Sequence, residues 1–246
     1  MLSVCIASAA WRRLDVSRLV LKQRRRLCDE LAARGIAATM LVAADDENLE
    51  LAAEYAAETL ETPNSPLATK SNLMLQRAAD IADWVVWVGS DDWIHPDVFD
   101  PLDGRDRPIS IIRGLRLVTI DLPTGELRRV HSPSQYGAIP WLLDSRMIRN
   151  KSKPPILRTE LERGLDGALI QGLRVLHKPF PLVFEDHDPH EFRCVDLKTD
   201  ANLSPYKGLV ESKGYGEPGT AWDDLQGWYP TDLIDEARQL STRLAR

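Results

Sequence analysis

Two adjacent carboxylates, Asp91 and Asp92, follow an apolar run in the sequence VVWVGSDDWIHPD. Residues 85–88 have the β-branched and aromatic bias of a strand that is buried on both faces, whereas Ser90 and the two aspartates are turn formers. Neighbouring carboxylates repel each other unless a cation lies near them, and Mg²⁺ typically takes one or two carboxylates together with phosphate oxygens. The pair predicts a divalent-metal site for a nucleoside diphosphate derivative. The simpler alternative is a turn followed by a helix cap.

Polar residues also follow the first two predicted strands. The segment from Ser8 to Arg13 follows a strand at residues 2–8, and Asp45 and Asp46 close the apolar run AATMLVAA. In an open parallel sheet, ligands bind beyond the carboxyl ends of the strands, because loops and helix N-termini converge there. We therefore expect these residues and Asp91 to face one site.

The elements that must position these residues alternate between strand and helix. After the first strand, the periodicity predicts a helix that Asp15 begins and Gly35 ends. A strand at 37–44, a helix at about 47–57 and a strand at 58–61 follow. Ser71 then begins a helix that leads to the strand at 84–88. Helices between strands favour right-handed crossovers. The sequence thus predicts an α/β fold with a mixed, mainly parallel central sheet flanked by helices.

The second part of the chain has shorter elements. Two strand-like runs around Pro123-Thr124-Gly125 predict a hairpin. A helix is predicted at RTELERGLDGALIQGL and a strand at RVLHKPFPLVF. Residues 186–230 are rich in Gly, Pro, Asp and aromatic residues and lack periodicity, so we expect a long loop, suited to a lid or a packing arm, before an amphipathic helix that Thr231 begins.

The order of these pieces resembles the nucleotide-sugar-dependent glycosyltransferases of the GT-A fold, closest to the large family-2 group. The resemblance spans about residues 2–180 and rests on CIASAAWRR, LVAADDE, LATKSNLMLQRAAD and WVGSDDWIHPD in that order. It implies a Rossmann-like GT-A domain over 1–185, with a nucleotide-sugar half at 1–100, an acceptor half at 101–185, and an irregular extension at 186–246 packed on it. It also implies a set of donor-binding residues: Ser8, Arg12, Asp45, Lys70, Asn72 and Ser90.

The resemblance further implies a metal cofactor, Mn²⁺ or Mg²⁺, on Asp91 and Asp92. The family motif is usually Asp-x-Asp followed by Asp, and Gly89 stands where the first acid would be. Either Ser90 or backbone amides replace that acid, or metal use is weak. Some relatives return a C-terminal histidine to the metal, which makes His187 in FEDHDPHEF a candidate ligand.

Histidines and acids later in the chain allow two further assignments. His95 and His131 have no comparable neighbours in the sequence, so they receive no role. Glu162 and Asp166 lie four apart on a predicted helix, where repulsion would raise the proton affinity of one of them. The resemblance places the catalytic base at Asp166, and the alternative is two acids on a solvated helix face.

The charge distribution bears on the acceptor. The chain of 246 residues has a formal charge of −6, yet residues 105–158 hold eleven Lys or Arg and four Asp or Glu, a local charge of +7. An anionic acceptor, either hydroxymethylated DNA or a phosphorylated glycan, would suit this segment, with Trp141 stacking on a base and Arg146 and Arg149 binding phosphates. A small hydroxylated metabolite and an ordinary solvated basic face are the alternatives.

Composition favours a cytoplasmic protein. The three cysteines are widely spaced and make neither a disulfide framework nor a metal cluster, and no apolar run approaches a membrane span of about 20 residues. The oligomeric state cannot be derived.

Two other functions are compatible with this fold. One is a nucleotidyltransferase, although CIASAAWRR lacks the glycines of a phosphate loop. The other is a non-catalytic nucleotide-sugar-binding relative, which Gly89 would suit.

Overall fold

The computed structural model describes ten segments of the chain: residues 1–102, 110–113, 116–131, 140–149, 155–162, 165–176, 183–187, 190–199, 218–220 and 222–245. Its first four strands, β1 (Ser3–Ala9), β2 (Ala37–Ala44), β3 (Glu58–Glu61) and β4 (Trp84–Trp87), alternate with the helices α1 (Leu14–Ala33), α2 (Asn48–Glu54) and α3 (Leu67–Ile81). The later strands are β5 (Asp92–Ile94), β6 (Ser110–Arg113), β7 (Arg116–Asp121), β8 (Glu126–His131), β9 (Trp141–Asp144), β10 (Val183–Asp186), β11 (Cys194–Lys198) and β12 (Pro218–Thr220). The remaining helices are α4 (Leu165–Leu176) and α5 (Thr231–Leu244), with 3₁₀ turns at Pro96–Leu102, Ser145–Met147 and Glu191–Arg193.

A seven-stranded central sheet has the order β10-β6-β9-β4-β1-β2-β3. The strands β3, β2, β1 and β4 are mutually parallel, and β9 pairs antiparallel with both β4 and β6. Alternate residues of β1 supply opposite faces: Cys5 and Ala7 pack towards α3 and α4, whereas Val4 and Ile6 pack towards α1. The predicted α/β class, with its mainly parallel sheet buried on both faces, is confirmed.

A second sheet of five strands lies beside the first, in the order β12-β8-β7-β11-β5. The predicted hairpin at Pro123-Thr124-Gly125 joins β7 to β8, and Gly125 has a positive φ of 70°. Side chains of α1 and α5, among them Val16 and Leu233, cover the apolar core of this sheet around Trp93.

The expected loop over 186–230 is the main difference between the prediction and the structure. Residues 194–198 form β11, a buried strand that pairs parallel with β7 and antiparallel with β5. Asp196 is buried and Lys198 is half-buried, and Lys198 pairs with both Asp196 and Asp91. A short strand with buried charges lacks the apolar signal that predicted the other strands.

Several helix boundaries also differ from the prediction: α1 begins at Leu14, before Asp15, and α2 spans only Asn48–Glu54. Helix α3 begins at Leu67 and contains Ser71, which therefore does not cap it; instead Glu162 accepts a hydrogen bond from the Leu67 N–H. Helix α4 begins at Leu165, so Glu162 precedes it and does not share a helical face with Asp166. None of the helices in the described segments is both long and apolar enough to cross a membrane.

Candidate functional site

The carboxyl ends of β1 and β4 are joined by a buried arginine of α1. The guanidinium of Arg24 donates hydrogen bonds to Ser8 Oγ (2.7 Å) and to the carbonyl oxygens of Gly89 and Asp92. Burial lowers the pKa of Arg24 to about 10, so the side chain keeps its charge at neutral pH. Arg24 thus fixes the backbone from which Ser90 and Asp91 project.

Three carboxylates meet at this point. Asp91 and Asp92 follow β4, Asp196 lies opposite Asp92 in the β5–β11 pairing, and one oxygen from each lies within 4.8 Å of the others. The Leu197 N–H donates to the Asp91 carbonyl at 2.9 Å, which ties the two segments together. The side chains of Asp91 and Asp196 are each 11% exposed, whereas Asp92 is fully buried. The cluster therefore opens towards solvent through Asp91 and Asp196.

Two cations face the cluster. Arg13 lies 3.2 Å from Asp91 Oδ2 through Nη1 and donates to Ser90 Oγ through Nη2. The ammonium of Lys198 lies 3.4 Å from Asp91 Oδ2 and 2.8 Å from Asp196 Oδ1. Because both cations contact Asp91, its charge is compensated in the structure.

The carboxylates differ in proton affinity as a result. Burial raises the pKa of Asp91, but Lys198 and Arg13 outweigh this effect and hold it at about 2. Burial, followed by the charges of Asp196 and Asp91, raises the pKa of Asp92 well above its usual range. Burial also raises the pKa of Asp196, to about 6. Asp91 is thus the permanent anion, while the other two hold protons more readily.

Gly89, at the position where the family motif has an acid, is explained by close packing. A Cβ on Gly89 would lie 2.7 Å from Asp91 Oδ1 and 2.8 Å from Asp92 Oδ2. The Gly89 N–H instead donates to Asp92 Oδ2 at 2.6 Å. The two carboxylates therefore occupy the space that any side chain at residue 89 would need.

The donor set of the cluster fits a divalent cation. Mg²⁺ and Mn²⁺ prefer hard oxygen ligands, and three carboxylate oxygens converge here. A cation between them would favour the ionised forms of Asp92 and Asp196. It would also repel the ammonium of Lys198, which lies between Asp91 and Asp196. The cluster can hold a metal ion if Lys198 moves away from Asp91.

Four of the predicted donor-binding residues support the loops around the site. The buried Lys70 ammonium donates to the Ala10 carbonyl at 2.7 Å and to Asn64 Oδ1 at 2.9 Å. Asp45 accepts from the Asn64 N–H, and Ser8 accepts from Arg24. Asn72 exchanges two hydrogen bonds with the backbone of Leu157, so it ties α3 to the chain before α4.

The other two predicted donor residues lie at the surface of the site. Arg12 is exposed, its guanidinium lies 4.2 Å from the Trp11 ring centroid, and its N–H donates to Asp46 Oδ2. Ser90 accepts from Arg13. Arg12 and Arg13 both have left-handed backbone, with φ of 53° and 52°. Such strain at non-glycine residues often accompanies binding loops.

A cleft of about 970 Å³ opens beside this loop. It lies between the ends of β1 and β2, the β7–β8 turn, the end of β11 and α5; its wall includes Arg12, Arg13, Asp46, Pro123, Thr199 and Leu240. Arg13 belongs both to this wall and to the carboxylate cluster. The cleft has the volume of a small-molecule site, about 300–1,000 Å³.

The remaining predicted site residues lie elsewhere. His187 is not part of the carboxylate cluster, because its Nε2 lies 3.0 Å from the carbonyl oxygen of Asp97. Trp141 is 1% exposed and packs in the core, so it has no free ring face for stacking. Arg146 pairs with Asp144, and Arg149 donates to the carbonyls of Ala79 and Ala82 at the end of α3.

Asp166 lies in the first turn of α4, and its side chain is outside the described part of the structure. Its assignment as the base stays a prediction, as does the phosphate-binding function of the basic segment.

Sequence reasoning missed three residues of the site. Arg24 lies between Val20 and Leu27 on the apolar face of α1. A charged residue on that face was the signal in the sequence that could have identified it. Asp196 and Lys198 alternate with apolar residues in CVDLK, which is the period of a strand.

No protein-family model and no curated protein matches this chain. Among solved structures, this chain is similar to TarS from S. aureus, residues 1–349, over 99% of its own length and 71% of that TarS chain, with a TM-score of 0.51 and 13% identity. The fold is GT-A-like. The inositol-1-phosphate CTP transferase from T. maritima matches 85% of the chain and 96% of its own length, with a TM-score of 0.50 and 11% identity. The resemblance to GT-A glycosyltransferases is thereby confirmed for the fold, which nucleotidyltransferases share.

Proposed function

We propose that this chain is a glycosyltransferase that moves a sugar from a nucleotide-sugar donor to an acceptor hydroxyl. The observation that carries the proposal is the carboxylate cluster of Asp91, Asp92 and Asp196 at the carboxyl end of β4, which Arg13 links to the wall of the cleft. Ligands of α/β sheets bind at this edge. A nucleotide sugar presents the diphosphate that such a cluster binds through a cation.

The metal is proposed to be Mn²⁺ or Mg²⁺, held by Asp91 together with Asp92 and Asp196. When bound, it would neutralise the charge that develops on the leaving diphosphate. Arg13 and Lys198 already direct positive charge at the same point. We propose that both turn from Asp91 to the phosphate oxygens of the donor, which would stabilise the leaving group electrostatically.

The nucleoside is proposed to lie in the cleft beside Arg12 and Asp46. Asp46 accepts hydrogen bonds from the Arg12 N–H and from Asn48, which lower its pKa against the opposing effect of burial. It is therefore ionised and positioned at the end of β2. Asp45, the residue that the family resemblance assigns to this task, is its immediate neighbour.

The base is proposed to be Asp166. Replacing it with Asn should abolish transfer while leaving donor affinity unchanged, because a base acts on the acceptor proton and not on the nucleotide. Loss of donor affinity in Asp166→Asn would instead place residue 166 in the nucleotide site.

A nucleotidyltransferase is the second candidate, favoured by the fold similarity to the T. maritima CTP transferase. Such an enzyme would release pyrophosphate from a nucleoside triphosphate. The stretch CIASAAWRR, which ends β1 and continues into the following loop, has no glycine to bring backbone amides against a triphosphate, and this favours the glycosyltransferase.

The proposal can be tested with a panel of UDP-, GDP-, CDP- and TDP-sugars, with and without Mn²⁺. We expect one donor class to raise the melting temperature and to be hydrolysed slowly in the absence of acceptor. Asp91→Asn should abolish the Mn²⁺-dependent part of both effects. Asp29→Asn, the same change on an exposed carboxylate of α1, is the control. Pyrophosphate release from CTP would favour the second candidate, and binding without turnover would indicate a non-catalytic relative.

A further inference from the structure

Two histidines and an aspartate form a second cluster, at the opposite end of the β5–β11 strand pair from the carboxylates. His95 and Asp97 follow β5, and His190 precedes the turn that leads into β11. The His95 N–H donates to the Arg193 carbonyl at 2.8 Å, which continues the β5–β11 pairing beyond Ile94. His95 lies three positions beyond Asp92 along the chain, or about 10 Å of extended strand. The two clusters are therefore separate sites.

The three side chains place their ligand atoms at the corners of a nearly equilateral triangle. His95 Nδ1 lies 3.3 Å from Asp97 Oδ2 and 3.3 Å from His190 Nε2, and His190 Nε2 lies 3.5 Å from Asp97 Oδ2. In a tetrahedral zinc site, bonds of about 2.0–2.2 Å place neighbouring ligand atoms about 3.3–3.6 Å apart. The triangle has this size.

The hydrogen bonds available to this triangle are long. His95 Nδ1 accepts from the Asp97 backbone N–H at 3.3 Å, and a proton on His190 Nε2 can point at Asp97 Oδ2, 3.5 Å away. His95 Nδ1 and Asp97 Oδ2 then remain as acceptor atoms 3.3 Å apart. A cation at the centre would bind all three ligand atoms at once.

The surroundings fix the rings and leave one side open. The His190 ring stacks on Trp228, with 4.0 Å between centroids, and is perpendicular to the His95 ring. The two histidine side chains are 15% and 12% exposed, whereas that of Asp97 is 31% exposed. A metal ion can therefore enter along Asp97, and a water molecule can complete the tetrahedron.

We propose that His95, Asp97 and His190 form a site for a divalent transition metal, with Zn²⁺ as the best fit and a fourth position open to solvent. Two imidazoles and one carboxylate suit Zn²⁺ better than Mg²⁺, which prefers oxygen ligands. A metal ion here would clamp the segment before β11 to the segment after β5. The proposal goes beyond the glycosyltransferase function and does not depend on it.

The test uses the full chain, freed of metal by dialysis against a chelator and titrated with Co²⁺ and then Zn²⁺. Wild type should bind about one equivalent of Co²⁺ with the visible absorption of a tetrahedral site, and Zn²⁺ should displace it. Removing a residue that only supports a metal ligand lowers metal affinity by about 10–100-fold. Because His95, His190 and Asp97 would be ligands themselves, His95→Gln, His190→Gln and Asp97→Asn should each lower the affinity by at least about 100-fold.

Two control variants test the location. His187→Gln changes a neighbouring histidine outside the triangle, and Asp29→Asn changes an exposed carboxylate of α1 outside both clusters, so both should bind Co²⁺ as wild type does. Equal loss in His187→Gln, or an unchanged spectrum in both His95→Gln and His190→Gln, would overturn the proposal.

A measurement on wild type covers the case in which the ligand variants do not fold. Zn²⁺ should protect His95 and His190, but not His187, from modification by diethylpyrocarbonate, as read by mass spectrometry of the peptides. Modification of His95 and His190 at the same rate with and without Zn²⁺ would contradict the site.

Discussion

At the scale of single residues, the candidate site is defined by how close its charges lie to one another. Asp91 is held between Arg13 and Lys198, and Asp92 is held by the Gly89 N–H. The pairing of Asp91 with two cations means that a metal ion must compete with positive charges of the protein. Small changes at residues 89 and 198 should therefore alter metal affinity strongly.

Gly89→Ala should abolish Mn²⁺ binding in an otherwise folded protein. The added Cβ would lie under 3 Å from an oxygen of both Asp91 and Asp92, so both carboxylates must shift. Overpacking of this kind costs about 1–3 kcal/mol of unfolding free energy. Mn²⁺ affinity by electron paramagnetic resonance and stability by urea unfolding would measure the two effects.

Gly35→Ala is the matched control for that change. Gly35 has a positive φ of 79° and nothing within 4 Å of an added Cβ, so alanine there adds backbone strain without touching the site. It should lower stability and leave Mn²⁺ affinity unchanged. If Gly89→Ala bound Mn²⁺ as tightly as Gly35→Ala, the carboxylates would not be the metal ligands.

Lys198→Met should raise Mn²⁺ affinity and lower sugar transfer. Methionine retains most of the apolar length of the side chain but removes the charge that opposes a metal ion between Asp91 and Asp196. Two unit charges about 4 Å apart interact by about 4 kcal/mol at an effective dielectric of 20, so a gain of at least tenfold is expected. Transfer should fall because a cation next to the leaving diphosphate is lost.

The two halves of this prediction can be separated experimentally. Calorimetric titration with Mn²⁺ without donor measures the first, and turnover at saturating Mn²⁺ measures the second. Arg25→Met, an exposed cation on α1 that pairs with Asp29, is the control. Weaker Mn²⁺ binding in Lys198→Met would show that its ammonium supports the metal site instead of competing with it.

At the scale of elements, apolar period and turn residues predicted the first hundred residues well. The strands at 37–44 and 58–61 have the predicted bounds, because each is an apolar or alternating run closed by turn formers. β11 was not predicted, since its acid Asp196 is buried beside Lys198, and the ion pair between Lys198 and Asp91 joins distant parts of the chain. The His95–His190 contact joins residues far apart in sequence, so only the strand pairing could reveal it.

The packing of α5 on α1 should depend only slightly on its ion pairs. Arg26 makes a two-pronged contact with Asp232, whose side chain is 54% exposed. The hydrogen bond from Arg26 is the main cause that lowers the pKa of Asp232 to about 2. A double-mutant cycle of Arg26→Ala and Asp232→Ala should give a coupling of about 0.2–1 kcal/mol in urea unfolding, reduced in 1 M salt.

The pH dependence of this coupling has a definite sign. The folded pKa of Asp232 lies below the ordinary value of about 3.9, so the stabilisation is fully present above that value and is lost as the pH falls through about 2. Coupling should therefore persist at pH 3. A coupling that disappeared between pH 7 and pH 5 would mean that the pair does not form.

At the scale of the whole molecule, the positive segment is less available than the sequence suggested. Arg128 and Arg146 pair with Glu126 and Asp144, acids that the count of +7 already subtracts. Arg129 and Arg158 pair in addition with Asp224 and Glu160, which lie outside the segment. Sequence reports net charge but not which charges are paired inside the fold. The prediction of an anionic acceptor therefore rests on fewer free cations than the count of +7 implies.

Binding of hydroxymethylated duplex DNA should accordingly be weak and depend little on salt. Each phosphate that a protein neutralises adds about 0.9 to the slope of log affinity against log salt, so an acceptor site with several phosphate contacts would give a slope of magnitude about 4 or more. We expect a magnitude below about 2, because Arg146 and Arg149 already have internal partners. Fluorescence anisotropy across a salt series measures the slope. The same series with Arg146→Ala tests whether Arg146 contacts DNA, and Lys22→Ala, a change on α1, is the control. DNA would be reinstated as the acceptor by a steep slope whose magnitude falls by about 1 in Arg146→Ala and does not change in Lys22→Ala. A flat slope favours a small hydroxylated molecule in the cleft.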